Sequence, residues 1–143
     1  MDAEIIYGVT GRNYFGADLV KSIFLYNCDR NVIYSPASIH TSLPMAFFGT
    51  EGVTAQELRR GLYLDTDEDI TILRIYGKYI ENYLADNNMK PLAPIFKMAN
   101  RMYVDQSLRI KDEFNLINRK IFKSSAGKVD FAKSAEATSN INA

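Results

Sequence analysis

The sequence predicts an α+β fold in which helices gather before and between strands of one sheet. Three observations carry that prediction. Apolar residues recur at helical spacing around Phe15–Tyr26, Ile39–Phe47, Ile70–Leu84 and Phe114–Ile121. Apolar and polar residues alternate with strand period over Phe96–Asp105. Gly, Pro and Asn residues punctuate the stretches between.

The first helix is placed at about Asn13 to Asn27, with Phe15, Leu19, Ile23 and Tyr26 on one face and Asn27 with Asp29 at its end. Gly8 and Gly11, ahead of it, read as turns. Val32, Ile33 and Tyr34 form a β-branched and aromatic run too short for a helix, which predicts a buried strand. Ser35 ends that run and starts the next helix: its hydroxyl can accept an orphan backbone N–H, while Pro36, which lacks one, sits at the first helical position without loss. Ile39, Leu43, Ala46 and Phe47 are expected on the inward face. Pro44 lies inside this helix, where it removes the bond to the His40 carbonyl at a cost of about 3 kcal/mol, so a kink is expected.

Gly49 and Gly52 predict the stop and the turn, and Thr54 with Glu57 three residues on reads as a capping box for a surface helix. A long helix follows from about Asp67 to Ala85. Ile70, Leu73, Tyr76, Ile80 and Leu84 form its stripe, Ile72, Tyr79 and Tyr83 widen it, and Asn87 and Asn88 close it. After Pro91 and Pro94, Phe96, Met98, Met102 and Val104 alternate with Lys97, Ala99, Arg101 and Tyr103, and polar Asn100 interrupts the apolar phase. A helix over Asp112 to Phe122, with Phe114, Ile117 and Ile121 inward, precedes a second strand near Gly127 to Phe131. No repeats or linkers interrupt the pattern.

Composition sets bounds on function. At 47% hydrophobic and 24% charged residues, the 143-residue chain is too apolar for intrinsic disorder. Lys plus Arg and Asp plus Glu are each 17, and a net charge of zero gives no reason to expect nucleic acid as a partner. No run approaches a transmembrane span, so no membrane association is expected. The lone cysteine, Cys28, excludes a disulfide within these residues and leaves the compartment open. The acidic start, Met1-Asp2-Ala3-Glu4, is unlike the basic head of a secretory signal.

Enzyme chemistry finds no support. His40 is the only histidine, and no motif links it to Cys28 as a dyad, so it reads as a packed or partly exposed helix residue. Paired His or Cys at ligand spacing are missing, so no metal or other cofactor is expected. Gly8 and Gly11 lack the spacing and the following Lys of a phosphate loop.

The run Asn31-Val32 to Ser35-Pro36-Ala37-Ser38-Ile39, a helix of small residues, and then Phe48-Gly49-Thr50-Glu51-Gly52-Val53-Thr54-Ala55-Gln56-Glu57-Leu58 together resemble the N-terminal third of the serpins, a family of serine protease inhibitors. Ala99 to Val104, Lys111 to Phe114, Val129 to Phe131, and Ala135 to Ala137 with Ile141-Asn142 are similar to further family motifs, in the family's order.

That resemblance implies part of a serpin domain: N-terminal helices and a few strands of the central and second sheets, short of the reactive-centre loop near the family's C-terminus. Residues from Ser134 resemble the start of a helix that continues in the family, so the chain is expected to be a fragment. The implied partner of the full-length parent is a serine or cysteine protease, trapped as an acyl-enzyme by loop insertion. The alternatives are a non-inhibitory carrier or chaperone of the same fold and an independent small binding module. Ser35 and Ser38 match the shutter, a polar cluster beneath the sheet that must open for insertion. The family acts mostly outside cells, which implies an extracellular protein, with the cytoplasm as the alternative.

Some serpins bind heparin along the helix matching Asp67 to Ala85. Arg74 and Lys78 among Glu68, Asp69 and Glu81 are too sparse a row for that, and the looser group Arg119, Lys120, Lys123, Lys128 and Lys133 reads as a solvated face. Self-association is expected instead, because missing partner strands leave apolar faces and strand edges uncovered.

Overall fold

A computed structural model describes the backbone of residues 3–26, 29–64, 68–89 and 100–142, and the side chains of 10–26, 29–64, 68–82 and 100–142. Its elements run α1 (Ala3–Tyr26), α2 (Pro36–Phe47), α3 (Gly52–Gly61), α4 (Asp69–Met89), β1 (Tyr103–Asp105), α5 (Asp112–Lys120), β2 (Gly127–Val129) and α6 (Ser134–Asn142). The two strands pair in parallel, Tyr103 opposite Gly127, Val104 opposite Lys128 and Asp105 opposite Val129, with α5 as the crossover. Helices before and between strands is the expected α+β order. A helix stands where the expected start at Ser134 placed one.

The core forms where α2 and α4 meet the segment that leaves α5. Met45 and Phe47 from α2, Ile72, Tyr76 and Ile80 from α4, and Phe122 make one buried cluster, ringed by Phe48, Leu58, Leu73, Met102, Ile117 and Ile121. Each fully buried side chain of this size contributes about 1.5–3 kcal/mol. Arg59 of α3 closes the edge, pairing with Asp69 of α4 and lying 5.1 Å over the Phe47 ring.

Several expectations are corrected. The first helix begins at Ala3 rather than Asn13, and Gly8 and Gly11 lie within it instead of forming turns. Gly11 is needed for close approach: a Cβ there would stand 2.8 Å from the Tyr63 carbonyl, so the turn after α3 rides directly on the backbone of α1. The run Val32–Tyr34 forms no strand, and Ile33 is fully exposed instead of buried. A strand needs a ladder partner, and among the described residues none lies alongside.

The capping box is also corrected. α3 begins at Gly52, with Glu51 as a cap that makes no side-chain bond, so Thr54 sits inside the helix. On α2 the buried residues are His40, Thr41, Pro44, Met45 and Phe47. Ile39, Leu43 and Ala46 are only half-covered, because α1, α3 and α4 pack against the other side of the helix. α2 runs unbroken through Pro44.

On α4 the buried stripe is Ile72, Tyr76 and Ile80, while Ile70 is exposed. Asp67 and the side chains of Tyr83 and Leu84 fall outside the described residues. Asn87 and Asn88 do not close the helix, which continues to Met89. Both strands are shorter than expected. β1 spans Tyr103–Asp105, with Phe96 to Ala99 outside the described residues, and β2 stops at Val129, leaving Phe131 half-exposed. α5 ends at Lys120, although Phe122 beyond it is buried.

Candidate functional site

Ser35 caps α2 as its sequence predicts. Its backbone is extended (φ −119°, ψ 101°), Pro36 takes the first helical position, and the Ser35 Oγ accepts the backbone N–H of Ser38 at 3.3 Å. That geometry leaves the Ser38 hydroxyl free to face outward from the first turn, where it donates to Oδ1 of Asn100 at 3.1 Å. The other hydroxyls of α2 turn back on their own helix, Thr41 to the Ala37 carbonyl and Ser42 to that of Ile39. Ser38 is therefore the α2 hydroxyl that ties the helix to the segment entering β1. Ser35, Ser38 and Asn100 are all half-buried, so their bonds form in a medium less polar than water yet within reach of it.

Two residues further on, α2 presents a second polar group in the opposite setting. His40 is 2% exposed, and both of its ring nitrogens are engaged. The Leu62 carbonyl can only accept, so Nε2 carries the proton and donates to it at 2.9 Å. The bare Nδ1 then accepts from the Tyr76 hydroxyl at 2.9 Å. The Phe15 ring of α1 meets the imidazole edge-on at 5.0 Å. Burial holds the imidazole below its ordinary pKa and pushes the Tyr76 phenol above its own, so both groups are neutral near pH 7.

α1 is clamped on the same side. The Arg12 guanidinium lies 3.8 Å over the Tyr79 ring of α4, and the Tyr63 hydroxyl donates to the Asp18 carboxylate. Tyr63 holds a left-handed backbone (φ 54°) in the turn that closes α3, where its N–H bonds the Arg60 carbonyl and that of Leu64 the Arg59 carbonyl.

Neither polar cluster has the parts of a catalytic centre. Among the described residues the Ser38 hydroxyl has no base beside it, and the His40 nitrogens are both spent on packing partners. Among the described residues no three His, Cys, Asp or Glu gather to hold a metal, and no helix is long and apolar enough to cross a membrane. Cys28 lies outside the described residues. Lys123 donates to the Lys120 carbonyl, and Lys133 pairs with Asp130 and Glu136.

Sequence reasoning singled out Ser35 and Ser38 but missed Asn100 as the partner of Ser38. The signal was present, since an amide that breaks an apolar alternation needs a hydrogen-bond partner. The His40–Tyr76 pair left no such mark, because neither residue breaks the pattern of its helix.

The sequence model of the serpins, serine protease inhibitors, matches residues 10–143. The chain belongs to the serpin family. It is 33% identical over 114 residues to Serine protease inhibitor 42Dd of Drosophila melanogaster, a match covering 80% of this chain and 30% of that one. It is 34% identical over 128 residues to Leukocyte elastase inhibitor of Equus caballus, covering 89% and 32%. The solved structure of cleaved serpin 42Da superposes with a TM-score of 0.83 at 26% identity, over 98% of this chain and 35% of that one. Mouse protein-Z dependent protease inhibitor shares the fold, with a TM-score of 0.81 at 21% identity, over 99% of this chain and 38% of that one. The chain thus spans about a third of the length of the relatives it matches.

Proposed function

We propose that residues 1–143 are the N-terminal portion of a single serpin domain whose complete form traps a serine or cysteine protease. In that reaction the protease nucleophile forms an acyl bond to a reactive-loop carbonyl as the peptide C–N bond breaks and the amine departs protonated. The cleaved loop then joins the central sheet as a new strand. Residues 1–143 supply helices beneath that sheet and part of its edge, and by themselves carry neither reactive loop nor catalytic group.

The observation that carries this reading is the Ser38–Asn100 bond, by which α2 holds the segment leading into β1. A hydroxyl–amide bond contributes only about 1 kcal/mol net and can re-form with a new partner after the sheet moves. Interdigitated apolar side chains would have to be pulled apart. Ser35 and Ser38 accordingly act as part of a polar shutter, with Asn100 as its third member. The protein acts outside the cell in this reading, as does most of the family. Heparin is not a partner in this reading, since Arg74 and Lys78 stand among Glu68, Asp69 and Glu81 in too sparse a basic row.

A second reading has one observation in its favour. Pro44 is fully buried inside α2, less than two turns from Ser38, where its ring stiffens the helix that must accommodate sheet opening. A domain that resists opening would act as a carrier or chaperone rather than an inhibitor.

Protease titration separates these readings. The 143-residue chain, mixed with trypsin-like and chymotrypsin-like proteases, is expected to leave activity unchanged. The full coding sequence that contains it is expected to give an SDS-resistant protease complex, weakened by Ser38→Ala. A complete protein that is cleaved without trapping its protease supports the carrier reading, and stoichiometric inhibition by the chain alone refutes both.

A further inference from the structure

His40 joins four segments at one buried point. It stands on α2, donates to the turn after α3, accepts from α4 and packs against Phe15 of α1. Of these contacts the Tyr76 bond requires the neutral ring, whereas donation to the Leu62 carbonyl survives protonation. An imidazolium carries hydrogens on both nitrogens, so Nδ1 can no longer accept from Tyr76. For the pair to survive, the tyrosine must become the acceptor and its own hydrogen must find a new partner in a site that is 3% exposed. We propose that His40 is an acid-responsive latch, whose protonation releases α1 from the face formed by α2 and α4.

The surrounding charges favour release. From α1 the charged group is Arg12, whose guanidinium lies over Tyr79 and opposes a second positive charge at His40. From α4 the titratable groups are Tyr79 and Tyr76, the latter held neutral by burial, and from the turn after α3 the facing group is the Leu62 carbonyl. The Asp18 carboxylate of α1 is occupied by the Tyr63 hydroxyl and Lys21 at the surface. Among the described residues, no carboxylate acts on His40 to compensate an imidazolium.

Burial depresses the folded-state pKa of His40 below the ordinary 6.5, so the released state takes up the proton first. The latch is fully closed above about pH 6.5 and weakens as pH falls from there to the depressed value, below which the loss is complete. Within that window the released population grows by up to about tenfold per pH unit, the limit for one proton.

His40 is the only histidine, so one imidazole resonance reports its titration without ambiguity. Two measurements on the whole chain test the latch: the pKa of that resonance, and hydrogen-exchange protection factors, corrected for intrinsic rates, of α1 against α5. The expected result is a pKa below 6.5, with α1 protection falling toward acid while that of α5 holds. His40→Gln, which keeps a neutral donor and acceptor, is expected to flatten the α1 response. Tyr76→Phe removes the donor to Nδ1 and is expected to raise the His40 pKa and move the α1 transition to higher pH. A His40 pKa at or above 6.5, α1 protection that ignores pH, or an unshifted transition in Tyr76→Phe would each overturn the proposal. The wild-type titration decides the matter even if His40→Gln fails to fold.

Discussion

Ser38 and His40 lie two residues apart on α2, yet one is half-buried and reaches a single distant partner while the other is sealed among four segments. The contrast extends to the surroundings of each. On the His40 side, α1, α3 and α4 complete a core in which Ile72 is wholly buried and each polar group of His40 has a partner. On the Ser38 side, Ile39 and Leu43 are half-covered, the run before Ser35 has no ladder partner among the described residues, and Ile33 stands in solvent. Local helices can finish the first surface by themselves. The second is left open by the described residues, and the relatives the chain matches are about three times its length.

The largest effect that sharpens this contrast comes from two isoleucines. Ile72→Ala empties part of the closed core and is expected to lower unfolding stability by about 2–5 kcal/mol in urea titration. Ile33→Ser, on the open side, is expected to stay within about 0.5 kcal/mol. Equal losses from the two would break the comparison.

Gly11→Ala comes next. The new methyl would stand 2.8 Å from the Tyr63 carbonyl, and backbone cannot swing aside as a flexible side chain can. Overpacking of this kind costs about 1–3 kcal/mol, against about 1 kcal/mol returned by alanine's better helix propensity. A net loss is expected by thermal denaturation, and an unchanged or raised midpoint would show that the turn after α3 does not bear on α1.

Pro44→Ala has the smallest expected effect because two terms oppose. Restoring the backbone bond to the His40 carbonyl and removing the ring clash returns about 3 kcal/mol. Deleting two buried methylenes loses about 1.6 kcal/mol. A gain of about 1 kcal/mol remains, read as a raised thermal midpoint. A lowered midpoint would mean that the proline fills its site better than a regular helix turn can.

These residues also mark how far the sequence could be read. Helix existence and strand order were legible, since periodicity and the Ser35-Pro36 start depend on neighbours along the chain. The family was legible too, because its motifs survive intact. What failed was set by neighbours across space. The inward face of α2 was misplaced at three of its four positions because the spacing of Ile39, Leu43, Ala46 and Phe47 fits a helical stripe, while the described segments cover His40, Thr41, Pro44 and Met45 beside Phe47. Gly11 was read as a turn because glycine more often bends a chain than admits another segment against a helix. The run Val32–Tyr34 has strand composition, but composition supplies no ladder partner. Asn100 was noticed as an interruption, and only the fold connects it to Ser38.

Sedimentation velocity of the 143-residue chain over a range of concentrations tests the contrast between the two sides most directly. The exposed run at 31–33 and the half-covered face of Ile39 and Leu43 should drive association, so the weight-average sedimentation coefficient is expected to rise with concentration, and to rise less in Ile33→Ser. A monodisperse monomer at every concentration, with a single cooperative melt, would contradict the account, because it would show that these residues close their own surface without the rest of a serpin.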